Sequence, residues 1–395
     1  MESSRRRGMR AFLLIWAGQV VSLMGTNMTR FALAIWVWQQ TNAASALTFV
    51  GVSTAVPAIL ASFAAGPLVD RWDRKRMMIV GDLIAVLTTA ALLFLYSSGR
   101  LIVWHLYLVA AITGVTGTFQ YLAYSTSLTL LLPKEQYTRA SAMNSLAEYG
   151  SKIGAPIAAG ILLGVVGVQG IMVIDILTFF VAVGTLLLIR FPRPTPQPSE
   201  AQRTASFWQE ANFGFRYILN NPSLRGLLLI AFSFTLAESL GYPLIVPMIL
   251  ARTGSSQILL GAVQSVLGVG GVIGALLVSI WGGPKRRVFA FLVGLALTGL
   301  LGDALMGTGQ SIGVWIMAAL GLEIFIPLTM GAYHSIWQSK VPPEVQGRVF
   351  AARGLIAQVS EPLSMLLAGL TADKLLEPAF LPGGALVEPL GWLVG

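Results

Sequence analysis

The sequence predicts an all-α integral membrane protein made of two repeated helical bundles. Three observations carry the prediction. Hydrophobic residues make up 55% of the 395-residue chain and charged residues only 11%, with a mean hydropathy of +0.74, which leaves too little polar surface for a soluble globule of this size. Apolar runs long enough to cross a bilayer recur along the chain. The basic residues gather in alternate breaks between those runs, as they do when cytoplasmic loops hold the positive charge.

The first run, residues 11–39, follows MESSRRRGMR. It is too long for a signal-peptide core and lacks a convincing cleavage site. It is therefore predicted to be an uncleaved first helix, with Arg5, Arg6, Arg7 and Arg10 held on the cytoplasmic side. Runs over 46–69, 77–97, 102–131, 141–165 and 170–189 complete a six-span N-terminal bundle, residues 1–190. Each meets or approaches the roughly 20 residues a helix needs to cross the membrane.

A cytoplasmic linker is predicted over 191–225. Its first part, within RFPRPTPQPSEAQRTAS, alternates proline with polar residues and cannot be helical. Its second part, FWQEANFGFRYILNNPSLRG, interleaves aromatic and aliphatic residues with polar ones and reads as a short interfacial helix. Runs over 226–250, 258–280, 288–307, 312–338 and 349–376 then form a five-span C-terminal bundle within 226–395. The last stretch, LEPAFLPGGALVEPLGWLVG, carries three prolines and cannot make a span of its own.

Charge tests this layout independently. With the N-terminus inside, 21 of the 26 Lys and Arg fall in predicted cytoplasmic segments. Only Arg100, Arg252 and Lys374 fall outside, and Arg30 and Lys152 lie within spans. The expected location is the plasma or inner membrane, multi-pass, with a cytoplasmic N-terminus. The formal charge of +9 thus belongs to membrane loops rather than to a nucleic-acid surface. The chain has no cysteine, which excludes disulfides, thiolate metal sites and thiol nucleophiles. His105 and His334 are its only histidines, and no metal-ligand cluster or nucleophile–base pair is visible, so no enzyme and no metal site is expected.

The charged knot between spans two and three, GPLVDRWDRKR from Gly66 to Arg76, is the most informative loop. Gly66 removes a side chain where helices approach closely, and Asp70 sits where a helix ends and can face the positive N-terminus of another. Arg71, Arg74, Lys75 and Arg76 anchor the loop inside. The two halves also repeat one another. At an offset of 209, Pro133, Glu135 and Arg139 correspond to Pro342, Glu344 and Arg348; at 210, Lys75 and Arg76 correspond to Lys285 and Arg286. A parallel duplication of this kind puts the substrate between the halves near the midplane.

Gly66, Leu68, Asp70, Arg71, Arg74 and Lys75 resemble the loop 2/3 signature of the major facilitator superfamily, with Asp73 where that signature usually has Gly. The runs DRWDRKR, Ile174 to Phe179 and Val341 to Gln358 resemble the drug:proton antiporter branch that includes macrolide-efflux and enterobactin-export proteins. GSKIGAPIAAG resembles the antiporter motif of the fifth helix through Gly150, Gly154, Pro156 and Gly160, with Ala155 and Ala159 where Gly would stand. A generic small-residue packing face explains the same stretch.

The resemblance implies a major facilitator fold working by alternating access. It also implies that Gly66, Asp70, Arg71, Arg74 and Lys75 form a conformational gate that stabilises the outward-facing state. It further implies a twelfth helix beyond Gly395, so the 6 + 5 predicted spans fall one short of the family pattern.

Charges inside spans are costly, which makes them candidates for substrate or proton coupling. Counting about 1.5 Å per residue from the nearest cytoplasmic base, Glu148, Glu238 and Glu361 reach the middle of the membrane. Glu323 is similarly central and Arg30 lies in the outer half of span one. Glu148 and Lys152 are four residues apart and are expected to neutralise each other. Asp175 and Asp303, near span ends, are expected to be caps or interface residues.

A proton-coupled exporter needs a buried carboxylate that binds and releases a proton. An acidic cavity with aromatic walls, for which Trp36, Tyr121, Tyr124, Tyr242 and Tyr333 are among the candidates, would take cationic amphiphiles. The expected activity is proton-driven export of apolar or cationic small molecules, with a siderophore or other metabolite permease as the alternative. The expected partners are the substrate and the lipid bilayer, with the proton gradient in place of any cofactor, no nucleic acid, and a monomeric state.

Overall fold

The computed structural model describes residues 2–132, 136–189, 207–281, 286–342, 345–381 and 383–394. Among them the secondary structure is helical throughout, with no strand. The helices are α1 (Glu2–Thr41), α2 (Ala44–Arg71), α3 (Arg74–Ser97), α4 (Val103–Leu131), α5 (Tyr137–Leu188), α6 (Phe207–Asn220), α7 (Pro222–Gly241), α8 (Ile245–Arg252) and α9 (Gln257–Trp281). They continue with α10 (Arg287–Leu297), α11 (Leu305–Thr308), α12 (Ile312–Ile324), α13 (Ile326–Lys340), α14 (Gln346–Thr371), α15 (Glu377–Phe380) and α16 (Val387–Val394).

Ten of the described helical segments are long and apolar enough to cross a membrane. One of these, Met143–Leu188 within α5, has 46 residues. As a straight rod it would reach about 69 Å, over twice the roughly 30 Å of a bilayer's hydrocarbon core. Gly167, with φ at 67°, breaks it into two arms, because only glycine takes that conformation without strain. Large apolar side chains stand on the outer faces, Phe94 at 69% and Ile280 at 85% exposure. Such surface is stable against lipid tails rather than water.

Four predicted spans are not continuous α-helices; the last of them, 349–376, ends in a π-helical turn over Ala372–Leu376. Between α7 and α8 the chain takes a single 3₁₀ turn, Tyr242–Leu244, where Gly241 and Pro243 weaken the ladder. Between α12 and α13 it breaks at Phe325, with Pro327 in the first turn of α13. Between α10 and α11 it widens into a π-helical turn over Thr298–Ala304.

Two compact units divide the chain. The first holds Met1–Pro194 and Val246–Ser265, the second Thr195–Ile245 and Val266–Gly395. In the first, α1 packs along both arms of α5, with the Trp16 indole donating to the Met143 carbonyl at 3.0 Å and Thr26 reaching Asp175. Helix α2 lies against α4 so closely that a methyl group on Gly114 would collide with the Thr54 carbonyl. Tyr107 of α4 donates to the Ala46 carbonyl of α2 at 3.3 Å. The α5 motif is packed here too. Ala155 and Ala159 are wholly buried, Gly261 of α9 has no room for a side chain against the Pro156 carbonyl, and Ser265 donates to the Ile153 carbonyl at 2.7 Å. Pro156 lacks an N–H and opens the ladder at this turn, which small neighbours and hydroxyls accommodate.

In the second unit, α6 forms the predicted amphipathic helix and lies on α14. Its Ile218 is buried beside Leu224, Trp337 and Val349, and the Arg348 guanidinium sits 4.8 Å from the Phe213 ring centre. Phe291 of α10 stacks on Tyr333 of α13 at 5.6 Å. Each unit contains one related contact. Arg74 donates to the Thr126 carbonyl at 3.0 Å in the first, and Arg287 to the Ser335 carbonyl at 3.2 Å in the second. The acceptors Thr126 and Ser335 stand 209 residues apart, an offset at which the sequence halves repeat, whereas the two arginines stand 213 apart.

Candidate functional site

A cavity of about 520 Å³ opens in the first unit between α1, α4 and the first arm of α5. Trp16, Tyr121, Tyr124 and Tyr137 supply its aromatic walls, Gln19 and Asn144 its amides, and Glu148 its one acid; among the described residues no base lines it. The walls are held in place by their polar ends. Besides the Trp16 bond, the Tyr124 hydroxyl donates to Asn144 Oδ1 at 2.8 Å.

Glu148 is exposed and lines the cavity. The expected pair with Lys152 does not form; the Lys152 ammonium lies 5.6 Å from the Tyr149 ring centre instead. A ring face attracts a cation at little desolvation cost, and the adjacent ring competes for the ammonium.

Behind Gln19 stands a carboxylate that the sequence reading did not single out. Asp82 of α3 is 1% exposed. The Gln120 amide of α4 donates to its Oδ1, and Gly81 makes room, since a methyl group there would press on the Gln120 side chain at 3.1 Å. The Gln19 amide of α1 lies close to the same carboxylate, yet neither Gln19 Nε2 nor Asp82 Oδ2 completes a hydrogen bond. Eight residues beyond Arg74, about 12 Å along the helix, Asp82 lies well inside span three, so the rule that picked out the other intramembrane acids applies to it equally.

Asp175 corrects a second expectation. It is no helix cap: it is buried in the second arm of α5, where Thr26 of α1 donates to it at 3.2 Å and Thr89 of α3 at 3.4 Å. Arg30 of α1 interacts with it electrostatically. The carboxylate thus ties three helices together, a role that needs depth rather than a helix end.

At the gate, Arg74 binds the end of α4 as described, and Lys75 donates to the Ile189 carbonyl at 2.6 Å and the Leu187 carbonyl at 3.2 Å. A cation at a helix C-terminus satisfies its free carbonyls. Asp73 caps α3 by accepting from the Arg76 backbone at 3.0 Å, which accounts for an acid where the signature has Gly. The side chains of Gly66, Asp70 and Arg71, and the second knot over 282–285, lie outside the described residues.

In the α5 motif, Gly150 faces open space, Gly154 faces the tip of Met24, and Gly160 approaches the Gln257 carbonyl. In the second unit, Asp303 and Glu323 each come close enough for their charges to act on Glu238, and Tyr242 lies within reach of Glu238 and Glu323. The proximity of Asp303 was not foreseen. Glu361 is exposed on α14. The Arg353 guanidinium lies among the rings of Tyr333, Trp337 and Phe350 at 5.1–5.5 Å.

Comparison with known proteins follows the same lines. The sequence profile of the Major Facilitator Superfamily matches residues 15–365. The chain is 28% identical to macrolide efflux protein A of Streptococcus pyogenes over 385 residues, covering 95% of this chain and 93% of that protein. It is 23% identical to the multidrug efflux pump Tap of Mycolicibacterium fortuitum over 371 residues, covering 91% and 89%. Among solved structures, a bacterial homologue of the human lysosomal transporter Spinster, in an inward-facing and unoccupied conformation, superposes with a TM-score of 0.70 at 14% identity, covering 94% of this chain and 84% of that one. A bacterial homologue of the iron transporter ferroportin gives 0.66 at 15% identity, with 92% of each chain covered.

Proposed function

The chain belongs to the Major Facilitator Superfamily, and from that premise we propose that it exports apolar or cationic small molecules in exchange for protons, by alternating access. The cavity in the first unit carries the reading. About 520 Å³ of space with aromatic walls, two amides and a single carboxylate is the kind of site that holds an amphiphilic cation. Apolar contacts supply most of the binding and the acid selects for positive charge. Relatives named for macrolide and multidrug efflux support export rather than uptake.

In this reading Gly66, Asp70, Arg71, Arg74 and Lys75 gate the cytoplasmic side, and the proton gradient drives turnover. Glu148 is the cation-selecting group, because Lys152 does not neutralise it. Binding of tetraphenylphosphonium to the purified protein, set against a neutral aromatic probe of similar size, tests this. Preference for the cation that disappears in Glu148→Gln supports the reading; equal binding of both probes to the parent contradicts it.

A further inference from the structure

Asp82 is a fully buried carboxylate whose one side-chain hydrogen bond comes from a neutral amide, Gln120; a second amide, Gln19, lies close to it without completing a bond and also lines the cavity. We propose that Asp82 carries the exchanged proton and that Gln19, between Asp82 and the cavity, reports the proton's presence to the substrate. The proposal rests on the cavity being the substrate site.

An ionised carboxylate held away from water needs a cation or a full set of donors. The charged groups facing Asp82 from the neighbouring elements lie at a distance. Arg74, Lys75 and Arg76 start the same helix, about 10 Å or more away, and Asp175 with Arg30 meets α3 at Thr89, about 10 Å in the other direction. Glu148 stands across the cavity. Helix α4 presents His105, fifteen residues from Gln120 and bound at Nδ1 by the Ile102 backbone at 3.2 Å, the Tyr107 hydroxyl bound to the Ala46 carbonyl, and the Tyr121 and Tyr124 hydroxyls in the cavity wall. Helix α5 adds Lys152, held over the Tyr149 ring, and α1 adds Arg10, nine residues before Gln19. Among the described residues, then, Oδ1 has one amide donor and Oδ2 has none.

An amide side chain can present either of its ends. With Asp82 ionised, Gln19 Nε2 turns to Oδ2 and its carbonyl oxygen faces the cavity, where it favours a cation. When a proton binds Oδ2, the new O–H donates to the Gln19 carbonyl oxygen and the NH₂ group turns to the cavity, where it disfavours one. One proton is taken up as the cation leaves and one is released to cavity water as it binds. Proton and cation therefore compete without touching the same atoms. Glu148 adds affinity but is not needed for this exchange.

Two measurements on full-length protein in lipid test the proposal. The first follows the infrared carbonyl band of protonated carboxyl groups across pH without substrate. A band lost in Asp82→Asn and shifted in Gln19→Leu is expected; an identical band in the parent and both variants overturns the proposal. If Asp82→Asn does not accumulate, Gln19→Leu, which keeps the carboxylate, still decides it.

The second measures tetraphenylphosphonium affinity against pH. One-for-one exchange weakens binding by about tenfold per unit of acidification in the parent. That slope is expected to vanish in Asp82→Asn and Gln19→Leu but to persist in Glu148→Gln, and a slope retained in Gln19→Leu overturns the coupling. A parent that binds no cation contradicts the substrate reading, while the infrared titration still shows whether Asp82 takes up a proton.

Discussion

Lys75 places its ammonium 2.6 Å from the carbonyl of Ile189, just past the end of α5. The same ammonium reaches Leu187 at 3.2 Å, so one side chain from the first turn of α3 closes the last turn of a helix more than a hundred residues on. The basic loop is a structural clamp as well as a topology signal.

Removing the clamp frees two carbonyls at a helix end. Lys75→Ala is expected to cost about 1 kcal/mol, as expected for a partly exposed charged hydrogen bond at a helix C-terminus. Thermal unfolding in detergent checks it: Lys75→Ala should melt below the parent, and Lys75→Glu lower still.

The glycines of the α5 motif and of α9, which packs on it, differ in the space each faces. Gly150→Ala should be tolerated, since nothing lies near it, whereas Gly261→Ala would drive a methyl group into the Pro156 carbonyl at 2.6 Å. Overpacking of this kind costs about 1–3 kcal/mol. Membrane yield and melting temperature should stay at parent level for the first variant and fall for the second.

Among the described residues, Glu148 is the one acid in the cavity lining. Glu148→Gln should weaken a cationic probe by roughly tenfold and leave a neutral probe of the same size unchanged, the size expected when a single partly exposed charge is removed. Titration calorimetry with both probes separates this from a general loss of the site.

In the second unit, Glu238 sits within electrostatic reach of Asp303 and Glu323. Like charges at short range oppose folding. Glu238→Gln keeps the shape and removes one charge, so it should raise the melting temperature, by an amount of order 1 kcal/mol in stability. A lower melting temperature would argue that the acid makes a bond the fold depends on.

Much of this was legible in the sequence because a membrane imposes a simple pattern. Membrane-length helices followed from length and hydropathy, and a helix after the proline-rich stretch followed from the alternation in Phe207–Asn220. The α5 motif announced itself by small residues. What stayed hidden depended on partners from distant helices. Asp175 looked like a span-end residue until Thr26 and Thr89 were seen around it. Lys152 looked paired with Glu148 at helical spacing, but the adjacent Tyr149 ring took the cation. Asp82 was visible as an intramembrane acid, but its meaning lies in Gln19 and Gln120, 63 and 38 residues away in sequence. Breaks inside spans, at Pro243 and Phe325, were masked because hydropathy does not register a lost backbone bond.

Proton-driven export is read out by probe movement in proteoliposomes under an imposed pH gradient. Parent protein, Asp82→Asn and protein-free vesicles would be compared with ethidium as the probe. The account predicts that the parent moves ethidium against its gradient only while the pH difference lasts, and that Asp82→Asn loses this uphill movement but still exchanges probe for probe. Movement by the parent that is indifferent to the pH gradient would contradict it.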